Sequence, residues 1–103
     1  MNNIFVHHVY FWLKHPDNAA DKALLHQGLQ ELSTVPGIQS FHIGVPAGTN
    51  RPVIDSSYSF SWLTTFATAE DQDSYQTDPI HLAFVEKYSH LWSKVIVYDS
   101  VDA

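Results

Sequence analysis

Two periodicities share this chain, one of two residues and one of about four, and their succession outlines the fold. Ile4 to Leu13 is rich in aromatic and β-branched residues and is closed by Lys14-His15-Pro16, which predicts a first strand. Alternation puts Phe5, His7, Val9, Phe11 and Leu13 on one face and Val6, His8, Tyr10 and Trp12 on the other. Both faces are mostly apolar. The strand should therefore be covered twice, by helices on one side and on the other by a second layer such as another subunit. Asp17 or Asn18 then supplies an N-cap, and Leu24, Leu25, Gly28, Leu29 and Leu32 recur at helical spacing up to Ser33. Pro36-Gly37 suits the turn that ends this helix. Gly28 lies on the inward stripe, where it permits either close helix-to-sheet contact or space for a ligand.

Ile38 to Val45 alternates as a second strand, and Pro46 to Asp55 reads as a loop. Ser57 to Phe66 is the clearest strand, with Tyr58, Phe60, Trp62, Thr64 and Phe66 on one face. Thr68 and Asp71 resemble a capping box that opens the helix carrying Tyr75. Pro79 cannot extend the hydrogen bonding of a preceding helix, so it splits Ser74 to Trp92 into an incoming and an outgoing segment. Tyr75 and His81 should then point into the same space. The outgoing segment carries two adjoining inward rows, Phe84, Tyr88, Leu91 and His81, Val85, Tyr88, Trp92. Lys94 to Val101 is the final strand. The order strand, helix, strand, strand, helix, strand predicts an α+β, ferredoxin-like βαββαβ fold, a four-stranded antiparallel sheet with two helices on one face. The open sheet face, with His8, Tyr10 and Trp12, is too apolar to leave in water, which predicts a homodimer packed sheet to sheet.

Composition narrows the partners. With 103 residues and no internal repeat or linker, a single domain spanning residues 1–103 is expected. Eleven acidic against five basic residues, a net charge of -6, argue against binding nucleic acid or an anionic membrane and leave a neutral apolar or aromatic ligand open. There is no cysteine. The N-terminus lacks the basic segment and cleavage site of a signal peptide, and no run approaches the roughly 20 apolar residues of a membrane span, so a cytoplasmic location is expected. Seven histidines include no H-E-x-x-H and no pair four apart, so no metal is expected.

Near a helix N-terminus, His81 should be held neutral by the helix dipole and so be able to accept a proton, while the Tyr75 phenol could donate to a carbonyl oxygen. Such a pair suits proton abstraction beside a carbonyl with stabilisation of the resulting enolate; the alternative is that the two side chains merely satisfy local structure. His7 faces the helices, as a third site residue or as a core histidine. His8 points the other way, toward the dimer interface, and His15, His26 and His90 are surface residues. Phe5, Val9, Phe60, Trp62, Phe84, Tyr88 and Trp92 are core-type residues that would also line a pocket beside Gly28.

The chain resembles the stress-responsive dimeric α/β-barrel (Dabb) family. The resemblance rests on His7-His8-Val9-Tyr10-Phe11-Trp12-Leu13-Lys14, on Val35-Pro36-Gly37-Ile38, and on Tyr75 with Asp78-Pro79-Ile80-His81, followed by Phe84, Trp92 and Val95 to Asp99. It implies a homodimer whose sheets close into a barrel, with a pocket between sheet and helices. The family includes a plant polyketide cyclase that works without metal or organic cofactor. The catalytic tyrosine and histidine of that enzyme match Tyr75 and His81, and its first-strand histidine matches His7. Phe60 and Gly28 stand where it has a further pocket histidine and tyrosine, which implies a different substrate. Three function classes follow: a cofactor-free enzyme such as a cyclase, isomerase or monooxygenase, a small-molecule binding protein, and a stress-related structural dimer.

Overall fold

A computed structural model describes residues 4–103. The first strand, β1 (Phe5–Leu13), begins one residue later than the periodicity suggested. Helix α1 (Ala19–Leu32) is capped by Asn18, the second of the two candidates, whose side chain accepts from the Asp21 N–H. Leu25, Gly28, Leu29 and Leu32 form its buried stripe. Leu24 was expected on that stripe but is exposed, because it lies one position, about 100° of helix, off the centre of the apolar face. Gly37, with φ of 96°, turns the chain into β2 (Ile38–Gly44), a left-handed backbone that favours glycine.

Strand β3 (Phe60–Phe66) starts later than Ser57. Asp55 Oδ1 accepts from the Ser57 N–H in a local turn, and the Ser59 N–H then donates to the Phe11 carbonyl. Tyr58 therefore leaves the inward row proposed for it and meets Tyr10 on the opposite face of the sheet. Phe60, Trp62, Thr64 and Phe66 are all buried, as strict alternation requires.

The break at Pro79 divides the second helical layer into α2 (Ala69–Thr77) and α3 (Pro79–Tyr88). Asp78 closes α2 and caps α3. Its pre-proline backbone is extended at φ -63° and ψ 138°, and its side chain accepts from the Ile80 N–H at 2.8 Å. Helix α3 ends at Tyr88. A 3-10 turn over Ser89–Leu91 follows, so Trp92 is the first residue of β4 (Trp92–Val101) and not a member of the helical row. Val85, also placed in that row, is exposed.

The strands are ordered β2-β3-β1-β4 and every neighbouring pair is antiparallel, which is the ferredoxin-like βαββαβ topology. Their register pairs Val9 with Trp62 and Val97, and His7 with Thr64 and Asp99. The core lies between the sheet and the helices, around Trp62, Phe66, Leu25, Leu29 and Phe84. Among the described residues no helix is long and apolar enough to cross a membrane.

Gly28 is a point of close contact between helices, not between helix and sheet. A Cβ placed there would stand 2.7 to 2.9 Å from three atoms of the Tyr88 ring. That ring is fixed on its far side by the hydroxyl, which donates to Glu31 Oε1 at 2.8 Å. Gly28→Ala should therefore destabilise the fold by about 1–3 kcal/mol, despite alanine's better helix propensity, as overpacking does elsewhere. Urea denaturation checks this, and a stabilised variant would contradict it.

Candidate functional site

Between the helix-facing side of the sheet and the α2–α3 break lies a cleft of about 140 Å³. Its polar lining is His7, Tyr75, Gln76 and His81. Val9, Phe11, Trp62, Phe84 and Trp92 make its apolar wall, and the exposed Val85, Val95 and Val97 form a lip toward β4.

Tyr75 sits in the last turns of α2 and is 1% exposed. Its ring lies edge-on to Phe66 and His7 at 5.3 and 5.5 Å between centroids, and 4.7 Å from the ring of His81. The Trp62 Nε1–H donates to the Tyr75 hydroxyl oxygen at 3.0 Å. An indole nitrogen can only donate, so this bond uses a lone pair of the phenol and leaves the phenolic proton free for another acceptor. Burial pushes the Tyr75 pKa up to about 12, with the Trp62 hydrogen bond opposing the shift, so the group is a neutral donor at any ordinary pH.

His81 lies in the first turn of α3, positioned by the Asp78 cap. Burial lowers its pKa below the usual imidazole value; the backbone of Gln76 and the Asp78 charge oppose this, and His7 adds to it. Its Nδ1 is buried without a hydrogen-bond partner in the protein. The ring is thus neutral at pH 7 and carries an unsatisfied atom, which is costly inside a fold unless something else meets it.

His7 is better provided for. Its Nδ1–H donates to Asp99 Oδ1 at 2.6 Å, and its backbone carbonyl accepts from the Thr64 hydroxyl at 3.0 Å. A carboxylate on Nδ1 fixes the tautomer that presents Nε2 as an acceptor. Asp99 escaped the sequence reading because its role follows from the β1–β4 register, and Gln76, Phe11, Val95 and Val97 join the cleft for similar reasons of packing.

Of the sequence-predicted site residues, His7, Val9, Trp62, Tyr75, His81, Phe84 and Trp92 are brought together in this cleft. Four others are placed elsewhere. Phe5 borders a groove near Ala69 and Val101, Phe60 a groove with His26 and Ile43, while Gly28 and Tyr88 fill each other's space between α1 and α3. Among the described residues no group of three or more histidine or acidic side chains is placed to hold a metal ion.

A family model for the stress responsive A/B barrel domain, Dabb, matches residues 5–102. The chain belongs to the Dabb family. A Dabb protein of ferredoxin-like fold from Mesorhizobium loti superposes with a TM-score of 0.81 at 25% identity, covering 98% of both chains. A dimeric ferredoxin-like protein of unknown function from Thermobifida fusca gives 0.78 at 14% identity, over 97% of this chain and 92% of that one. A hydroxynitrile lyase from Passiflora edulis gives 0.78 at 16% identity, over 97% and 94%. No curated protein matches the sequence significantly. At 14% and 16% identity the last two structures share the ferredoxin-like fold with this chain, and the likeness shows that fold alone.

The His7–Asp99 contact makes a spectroscopic prediction. Long-range proton–nitrogen NMR should find a proton held on His7 Nδ1, and Asp99→Ala should shift the neutral ring toward the Nε2–H form. Finding Nδ1 without a proton in the unsubstituted protein would refute the arrangement.

Proposed function

We propose that this Dabb protein is a cofactor-free enzyme of the cyclase or isomerase type, moving a proton beside the carbonyl of a small apolar or aromatic compound held in the cleft. The observation that carries this reading is a buried phenol with a free proton, held 4.7 Å, ring to ring, from a neutral imidazole whose Nδ1 has no partner. His81 takes the proton from the carbon next to the carbonyl, leaving the electron pair as an enolate. Tyr75 donates a hydrogen bond to the oxygen on which that charge gathers. The imidazolium then returns the proton to the carbon skeleton or to oxygen, which leaves the enzyme unchanged and needs no oxidant. His7, oriented by Asp99, supplies a second acceptor in the cleft and takes a hydrogen bond from a substrate hydroxyl.

Size supports an aromatic or short-chain substrate. A cleft of about 140 Å³ compares with the apolar cavity of about 150 Å³ that takes up benzene in an engineered protein. That a hydroxynitrile lyase shares the fold is consistent with catalysis on such a scaffold. The partner in this reading is a second copy of the chain, packed through the open sheet face where His8, Tyr10, Trp12 and Tyr98 lie. A structural neighbour described as dimeric supports it. Light scattering coupled to size exclusion should give a dimer at micromolar concentration, and Tyr10→Glu a monomer; a monomeric unsubstituted protein would remove the claim.

Exchange of α-protons on a small aryl ketone such as acetophenone in D₂O, followed by NMR, tests the chemistry without a known substrate. His81→Ala should slow exchange by about 10²–10⁴-fold and Tyr75→Phe by about 10²–10³-fold. The sign of the pH dependence follows from the two shifts. Because His81 is lowered from 6.5, the base form is complete above that value and activity falls only as pH drops through the lowered one. The alkaline limit, set by Tyr75, lies near 12. Exchange unaffected by either substitution would leave the cleft without this role.

A further inference from the structure

The outer face of the sheet carries two histidines that the proton-transfer cleft does not use. His8 on β1 and His42 on β2 are both registered against Leu63 of β3, so the three side chains stand in one row across the sheet, on the side away from the helices. His8 is half-buried. Its ring stacks on Tyr10 at 4.4 Å between centroids, and its Nε2 lies 2.7 Å from Ser61 Oγ. A serine hydroxyl can donate or accept, so this bond survives protonation of the ring and does not decide its charge. His42 stands exposed on the edge strand.

The surroundings of His8 offer an added proton little compensation. Tyr10 faces it from its own strand, His42 from β2 and Tyr98 from β4, while Ser61 and Leu63 of β3 carry no charge. Burial lowers its pKa first, and His42 and then His7 lower it further. Lys94, whose Nζ is 4.4 Å from the centroid of the Trp12 ring, brings a fixed positive charge to the same face. In the hollow that His8 lines with Tyr58, Asp55 is the one carboxylate, and it is fully exposed, so water screens it. In the dimer reading a second copy covers this face. Two-fold symmetry would double each charge, so that full protonation sets four imidazolium groups in one interface, where charge without a partner is costly.

We propose that the row of His8 and His42 makes the dimer pH-sensitive: with both rings neutral the outer face holds a second copy, and proton uptake in acid releases it. The inference rests on the dimer reading of that face. Covering the face lowers each imidazole pKa relative to the single chain, so the separated chains bind more protons. Association is therefore fully present above the single-chain value and is lost as pH falls through it. For His8 that value already lies below 6.5. Net charge acts in the opposite direction. The chain carries -6 at pH 7 and none near pH 5.4, so repulsion between copies fades over the same range, and a dimer governed by net charge would tighten in acid.

Sedimentation velocity on the full chain, at one salt concentration, should show the dimer dissociation constant rising by at least about tenfold between about pH 7.5 and about pH 5. In the double variant His8→Gln with His42→Gln the rise should vanish or become a modest tightening, since an amide cannot charge but can still donate to Ser61 Oγ. If the double variant does not associate, His42→Gln alone, at an exposed position, must reduce the rise or the proposal fails. Circular dichroism at both pH values separates dissociation from unfolding. A dimer equally tight or tighter in acid overturns the switch and leaves the dimer standing, whereas a monomer at neutral pH removes both. Equal loosening in the double variant, or loosening that comes only with loss of the helical signal, also overturns it.

Discussion

The hydrogen bond from the Trp62 indole to the Tyr75 hydroxyl fixes how the sheet meets the helices. Both residues are essentially without solvent contact, at 0% and 1% exposure, so each polar atom must find a partner within the protein. They satisfy one another across the layer boundary, which locks α2 over β3 at one register. Because the indole can only donate, the same bond settles the orientation of the phenol, whose proton is directed elsewhere. One contact thus serves packing and chemistry, and the partnerless His81 Nδ1 lies near it because the chain must break at Pro79.

The sheet separates two environments. Its helix side is a buried core with a small cleft let into it, where burial lowers His81 and raises Tyr75, moving the pair apart toward base and donor. The outer side is aromatic and half-buried, with His8 Nε2 bonded to Ser61 Oγ at 2.7 Å and stacked on Tyr10. Two adjacent histidines in one strand therefore have separate surroundings. The two-residue period of the strand suffices to send His7 to Asp99 and His8 to Ser61.

Much of this was legible in the sequence because periodicity and proline are local signals. The alternation of Phe60, Trp62, Thr64 and Phe66 fixed a strand and its buried face, and Pro79 with the preceding Asp78 fixed the helix break that gathers Tyr75 and His81. What escaped depends on contacts distant in sequence. The partner of His7 is a matter of β1–β4 register across more than ninety residues, so Asp99 gave no local sign. Trp92 followed the helical spacing of α3, yet a single 3-10 turn moved it onto β4, where it still reaches the cleft and stacks on Phe84 at 5.6 Å. Tyr58 fitted the alternation of β3, but the turn held by Asp55 gave it to the opposite face. The space beside Gly28 was filled by a ring whose position no local pattern reveals.

The central claim is that Tyr75 donates its free proton to a carbonyl oxygen in the cleft. The most direct measurement is the ¹³C chemical shift of acetophenone labelled at the carbonyl, bound to the protein and to its Tyr75→Phe variant. A downfield shift of the bound carbonyl that disappears in the variant, with binding retained, is the result this account requires. A bound carbonyl whose resonance is the same in both proteins would contradict it.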